Sequence, residues 1–221
     1  MVIGSGLISK SFDVYSNDDN VVVFASGVSN SREMDDNSYY REYKLIESYK
    51  LTKSKFVYFS SININDINSK YFSHKINIEN YISDNFEKYL IFRLPQVVGF
   101  GGNSNNLFNF LKNKIEKGES LVVEDVHRSL IDIDDISSIC KYCIMNNSNE
   151  IINISYIENL KVIDIISLIS DKLSTKVDIE FSNKIDNIID LKNSEVVDYI
   201  IDSLYNINRE EYTKRLIDKY I

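Results

Sequence analysis

The chain has 221 residues, 43% of them hydrophobic and 26% charged, which suits one globular domain with a real core. A formal net charge of −8, from 33 acidic and 25 basic side chains, lacks the basic footprint of a nucleic-acid binder. No stretch approaches the roughly 20 apolar residues of a membrane span. Met1-Val2-Ile3-Gly4 lacks the start of a signal peptide, so a cytoplasmic protein is expected.

Met1-Val2-Ile3 reads as a short strand entering Gly4-Ser5-Gly6, and residues 7–15 as a helix with Leu7, Ile8 and Phe12 inward. Val21-Val22-Val23-Phe24 is a continuous apolar run, the pattern of a strand buried on both faces, and opens into the small-residue loop 25–31. A helix over 36–52 precedes a second such strand, Phe56-Val57-Tyr58-Phe59, which ends in Ser60-Ser61. A helix over 71–86, a strand over 89–92 with Arg93-Leu94-Pro95, and the glycine loop 99–102 follow. The rest alternates as helix 108–116, strands 121–123 and 128–133, a helix opening at Asp134-Asp135, strand 151–154, helix 160–173, strand 177–181 and helical segments to Ile221.

Alternating strands and helices with short connections predict a parallel α/β sheet covered on both faces. Ligands of such sheets bind at the carboxyl ends of the strands, where loops 4–6, 25–31, 60–61 and 99–102 all fall. One domain over 1–221 is expected, with residues from about 150 onward forming a small C-terminal α/β lobe on the substrate side.

Three features carry chemistry. Gly4-Ser5-Gly6-Leu7-Ile8-Ser9 is a G-x-G-x-x-S turn between strand and helix, which lets backbone N–H groups approach a pyrophosphate, with serine in place of a third glycine. Tyr71 and Lys75 lie one helical turn apart; an ammonium there lowers the pKa of a phenol from about 10 toward a useful range. Tyr40/Lys44 and Tyr49/Lys53 repeat that spacing, but only Tyr71 follows a strand ending in serines. Cys140 and Cys143 form a C-x-x-C without a second ligand pair, so no metal is expected and both thiols are assigned to a packed helix face.

In their order, these motifs resemble the extended short-chain dehydrogenase/reductase family, in its nucleotide-sugar epimerase, dehydratase and ketoreductase branch. The matching stretches are Gly4-Ser5-Gly6-Leu7-Ile8-Ser9, Phe24-Ala25-Ser26-Gly27, Phe56-Val57-Tyr58-Phe59-Ser60-Ser61, Tyr71-x-x-x-Lys75, Arg93-Leu94-Pro95-Gln96-Val97-Val98-Gly99 and Arg128-Ser129-Leu130-Ile131-Asp132-Ile133-Asp134-Asp135. The resemblance implies a Rossmann-like doubly wound sheet and an NAD(P)-dependent enzyme on a nucleotide sugar, serving surface-polysaccharide or deoxysugar synthesis. It implies Tyr71 as acid–base, Lys75 as its partner and a contact of the nicotinamide ribose, and Ser61, with Ser60 second, bonding the reacting oxygen. Gly4, Ser5, Gly6, Leu7, Ile8, Ala25, Ser26 and Gly27 would line NAD or NADP. Gln96, Asn106, Leu107 and Arg128 would face the substrate, unless Arg128 is paired with Asp132 or Asp134. Arg93 is assigned a structural role, and His74 and His127 an exposed, uninvolved one. The resemblance also points to a homodimer through two long helices, leaving oligomeric state open.

The chain departs from the family by passing from its first helix straight to Val21–Phe24, which matches the family's fourth strand. The second and third strands are therefore expected to be missing, and dinucleotide binding to be weak. The alternative is a non-catalytic relative that binds a nucleotide sugar or a protein partner.

Overall fold

The computed structural model describes residues 1–64, 69–155, 157–182, 192–205 and 207–221. Its elements in chain order are β1 (Val2–Ile3), α1 (Leu7–Ser11), β2 (Val21–Phe24), α2 (Asp36–Glu47), β3 (Lys55–Ser61), α3 (Lys70–Asn85), β4 (Tyr89–Leu94), β5 (Gln96–Val98) and α4 (Leu107–Glu116). They continue as β6 (Leu121–Glu124), β7 (His127–Asp132), α5 (Ile133–Asn146), β8 (Glu150–Asn153), β9 (Asn159–Lys161), α6 (Val162–Leu173), β10 (Ile179–Ser182), α7 (Glu195–Tyr199) and α8 (Tyr212–Tyr220). Part of the helical stretch expected beyond 181 falls on residues 183–191 and 206, outside the described residues.

The main sheet runs β1-β2-β3-β4-β8, every pair parallel. Because successive side chains on a strand point to opposite faces, each apolar run feeds two cores. Val23, Val57, Phe59, Leu90 and Phe92 face Phe12 and the α5 residues Ile136, Ile139, Cys140 and Cys143. Val22, Phe24, Phe56, Tyr58 and Ile91 face Ile46 of α2 and Ile78 and Ile82 of α3. This is the doubly wound arrangement expected. Among the described residues β1 is an edge strand, and only a 3₁₀ turn over Asp13–Tyr15 separates α1 from β2. The sheet is thus shortened where the second and third strands were expected to be missing.

Two local expectations are corrected and one strand is added. The first helix closes at Ser11, not at residue 15: the hydroxyls of Ser9 and Ser11 bond back to Gly6 O and Ile8 O, and the chain tightens into the 3₁₀ turn. Pro95 cannot continue the β4 ladder, so Gln96–Val98 leaves as β5 and pairs with β7, with Gln96 opposite Leu130. Asn159–Lys161, expected at the start of a helix, is instead a strand antiparallel to β7, and the helix opens only at Val162. A long-range backbone partner overrides the local pattern in both late cases. A parallel pair, β6 and β10, completes the C-terminal region, where α6 and α8 pack on each other.

Candidate active site

The loops at the carboxyl ends of β1, β2 and β5 touch one another. Gly4 has φ +132°, and a Cβ there would lie 2.4 Å from Ala25 O, so the first loop rests backbone-to-backbone on the end of β2. A Cβ on Gly6 would meet nothing within 4 Å, leaving that side of the turn open. Ser9, in the third-glycine position, is buried and donates to Gly6 O at 2.8 Å. Gly99 makes room for Leu7 and Ile133, whose methyl carbons would lie 2.9 and 2.8 Å from its Cβ. Ile8 packs partly buried against the core, and Asn103 Nδ2 reaches Ser29 Oγ at 3.4 Å.

Helix α3 starts at an N-cap, Ser69, whose hydroxyl accepts from Phe72 N. One turn in, Tyr71 is half-buried with its ring 5.1 Å from Phe72, and Lys75 is fully buried. The Lys75 ammonium lies 5.6 Å from the Tyr71 ring centroid, a cation–π distance, and donates to Tyr58 Oη at 2.8 Å and Glu42 Oε1 at 3.1 Å. Gly27 roofs this pair: a Cβ on it would stand 2.8 Å from Glu42 Oε1 and 2.9 Å from Lys75 Nζ. A side chain there would have to displace both end groups, while the φ of Gly27 is unexceptional.

Glu42 is the centre of the cluster and was not anticipated. Its Oε1 accepts from Tyr58 Oη at 2.6 Å as well as from Lys75; its Oε2 accepts from Val28 N at 2.7 Å and lies 3.1 Å from His74 Nε2. Burial alone would raise its pKa, but the Lys75 charge and the bonds to His74, Tyr58 and Val28 hold the carboxyl far below the usual carboxylate range. The signal was in the periodicity. Tyr39, Glu42 and Ile46 share the buried stripe of α2, and an acidic residue on such a stripe needs a partner.

Two expectations change here. His74 is not an exposed bystander: its ring is mostly buried, lies tilted against Tyr39 at 4.7 Å between centroids and pairs with Glu42. Lys75 does pull the Tyr71 phenol down, but burial pushes it up more strongly and Glu42 adds to that, so the net displacement is upward. The repeated spacings lie elsewhere. Tyr40 is exposed and Lys44 pairs with Glu47, while Lys53, beyond the end of α2, pairs with Glu87.

Alternation along β3 separates its two serines. Ser60 shares the Tyr58 face toward α3; it is buried and its Oγ has no hydrogen-bond partner. Ser61 lies on the other face, half-buried, and its Oγ accepts from Asn63 N at 3.3 Å. Of the substrate candidates, Gln96 and Arg128 sit in the three-stranded β5-β7-β9 sheet. Arg128 donates to His127 O at 2.8 Å and pairs loosely with Glu124 at 3.5 Å, not with Asp132 or Asp134, which Lys219 holds. His127, expected to be exposed, is half-buried. Asn106 caps α4 by accepting from Asn109 N at 2.8 Å, and Leu107 opens that helix half-buried. Ser26 is held by Arg41, whose Nη2 donates to its carbonyl at 3.0 Å. Arg93 is structural, pairing with buried Glu79 at 2.5 Å.

Cys140 and Cys143 are free, buried thiols. Among the described residues no group of three His, Cys, Asp or Glu side chains is arranged to hold a metal, and no helix is long and apolar enough to cross a membrane. Clefts of about 430 and 410 Å³ open at the opposite, amino ends of the strands, beside Lys53 and Phe86 in one case and Asn20 and Lys55 in the other.

The fold is similar to that of solved nucleotide-sugar enzymes. A UDP-glucuronic acid 4-epimerase from Bacillus cereus, solved with UDP-glucuronic acid and NAD, superposes with a TM-score of 0.65 at 17% identity, over 98% of this chain and 79% of that one. A UDP-glucose 4-epimerase from Thermotoga maritima, solved with UDP-glucose, gives 0.65 at 14% identity over 97% and 82%. A UDP-N-acetylglucosamine 4-epimerase from Methanobrevibacter ruminantium gives 0.62 at 17% over 98% and 83%. No family model matches the sequence, and no curated protein matches it either. The likeness is one of fold: a Rossmann-like, doubly wound sheet, shortened at one edge.

Proposed function

We propose that this chain is an NAD(P)-dependent enzyme that reduces, epimerises or dehydrates a nucleotide-linked sugar. The observation that carries the reading is the buried Lys75 ammonium, one turn from Tyr71, beneath the Gly27 loop and beside the carboxyl end of central strand β3. Tyr71 would exchange a proton with a hydroxyl or carbonyl oxygen of the sugar. Ser60 is the better candidate to bond that oxygen, because it shares the Tyr58 face and its hydroxyl is unmatched; Ser61 is the second. Arg128, held only loosely, would meet the substrate diphosphate, with Gln96 nearby on the paired strand.

The residues present fit one half of a dinucleotide well. The turn over Gly4, Ser5, Gly6, Leu7 and Ile8 is open at Gly6 for a pyrophosphate, and Ala25 and Ser26 lead into Gly27, which covers Lys75. The adenosine half fits poorly, since β1 is the sheet edge among the described residues. A nicotinamide cofactor, when bound, supplies or accepts the hydride at a sugar carbon.

The test is nicotinamide absorbance on mixing protein, NADH or NADPH and a panel of keto-sugar nucleotides. Turnover that falls by roughly 10²–10⁴-fold in Tyr71→Phe, with the fold intact, supports the reading. No turnover with any member, or turnover unchanged in Tyr71→Phe, removes it. One observation favours a second reading, a non-catalytic relative: Lys75 is already engaged by Glu42 and Tyr58 and has little left for a ribose. Binding of a nucleotide sugar without turnover would support that one.

A further inference from the structure

We propose that Glu42 is a positioning residue of the candidate site: its carboxylate holds the Lys75 ammonium under the Gly27 and Val28 backbone and so sets how much of that charge Tyr71 feels. The inference rests on the reading of Tyr71 and Lys75 as a working pair.

The geometry leaves Glu42 no other task. Its side chain is 0% exposed and that of Lys75 3%, so water cannot stand in for either partner, and a buried charge must be matched locally. Both carboxylate oxygens are doubly occupied, Oε1 by Lys75 and Tyr58 and Oε2 by Val28 N and His74. Four elements meet there: α2, the loop after β2, β3 and α3. The ammonium lies 4.9 Å from the Tyr58 ring centroid and 5.6 Å from that of Tyr71, so its charge is shared between one carboxylate and two phenol rings. Gly27 seals the arrangement, because any side chain there would strike both partners.

Among the described residues, the titratable groups that act on Tyr71 are Lys75 from its own helix, Glu42 and Tyr39 from α2, and Tyr58 from β3. Glu79, a turn beyond Lys75, is neutralised by Arg93 of β4. Within this set Lys75 favours the Tyr71 phenolate and Glu42 disfavours it. Removing the Glu42 charge deletes a repulsion on the Tyr71 phenolate and also takes away the counter-charge that holds the buried ammonium in place, so both influences on Tyr71 change.

The experiment is an alkaline NMR titration of the full chain labelled with [¹³Cζ]tyrosine, the Tyr71 signal being identified among 15 tyrosines by its loss in Tyr71→Phe. Glu42→Gln is expected to displace the Tyr71 midpoint, because the carboxylate that faces the phenol and holds its neighbouring ammonium is gone. If that variant does not fold, Glu42→Asp, which keeps the charge but withdraws it by one methylene, is expected to displace it by less. No cofactor is added, so a chain that binds no dinucleotide still reports on Glu42, and the two readings fail separately. A midpoint that stays put in the folded variant overturns the proposal.

Discussion

Gly4 and Ala25 meet through their backbones, Gly4 at φ +132° and so close that a Cβ would sit 2.4 Å from the Ala25 carbonyl oxygen and 2.7 Å from its carbon. The contact joins the edge strand β1 to the end of β2, which the two-residue strand otherwise grips through the short register Val2 to Val23 and Ile3 to Phe24. Gly4→Ala should therefore fail twice, by steric overlap with backbone that cannot swing aside and by a conformation that L-residues avoid. A loss of about 1–3 kcal/mol in urea unfolding is expected. Gly6→Ala, which meets nothing within 4 Å, should cost little. Equal effects at both positions would contradict the geometry.

Arg128 offers a test of the substrate side. Its pairing with Glu124 is long, 3.5 Å, between partly exposed groups, and such pairs contribute little to folding. Arg128→Ala should leave stability nearly unchanged while weakening binding of a nucleoside diphosphate by about 1.5–3 kcal/mol, the scale of a hydrogen bond to a charged group. Isothermal calorimetry reads the binding half of the claim and urea unfolding the stability half. Unchanged affinity would return Arg128 to its contacts with Glu124 and His127.

Much of this was legible in the sequence, and the reason is periodicity. Continuous apolar runs such as Val21–Phe24 have to be buried on both faces, and that dictates helices on both sides of a parallel sheet. The direct passage from the first helix to Val21–Phe24 likewise pointed to the missing strands. Local pattern could not show β5 or β9, because three-residue strands exist only through distant partners on β7. Nor could it show that Ser60 is buried on the Tyr58 face without a hydrogen-bond partner, which depends on how β3 packs against α3. Glu42 was within reach: an acidic residue between Tyr39 and Ile46 on a buried stripe announces a hidden cation, and Lys75 is that cation.

The Glu42 cluster should make the protein acid-labile. A carboxyl held below its ordinary value in the folded chain binds its proton more readily when unfolded, so it contributes stability that is full above the unfolded value of about 4.3. That contribution is lost as pH falls below it. Urea midpoints should decline through this window in the wild type and decline less in Glu42→Gln. At neutral pH the same variant should be less stable by about 3–5 kcal/mol, because Lys75 is left buried without its partner. A wild-type midpoint independent of pH below this value would count against the pairing.

The thiols of the C-x-x-C should be inert in the native state. Burial pushes Cys140 well up, and burial with the nearby Glu150 charge pushes Cys143 up to about 12. The thiolate is the reactive form, so neither should react with a thiol reagent at neutral pH until the chain unfolds. Rapid labelling of the folded protein would show that α5 opens or packs differently.

The last prediction concerns the shortened sheet. In the complete doubly wound arrangement, strands beyond β1 carry the residue that grips the adenosine ribose and distinguishes the two nicotinamide cofactors. Here β1 is the edge of the sheet among the described residues, α1 is only five residues long, and Ala25, Ser26 and Gly27 provide no charged group at the end of β2. On the proposed reading, the open Gly6 turn and the Lys75 cluster remain to hold the pyrophosphate and nicotinamide parts. Each missing charge-assisted contact is worth about 1.5–3 kcal/mol, so losing two moves a micromolar site toward roughly millimolar. Fluorescence titrations with NADH and NADPH should accordingly give weak and nearly equal constants. A partner subunit that completed the wall would instead make the constant depend on protein concentration, which a dilution series reveals. Micromolar binding with a clear preference for one cofactor, independent of protein concentration, would mean that residues of this chain replace the missing strands.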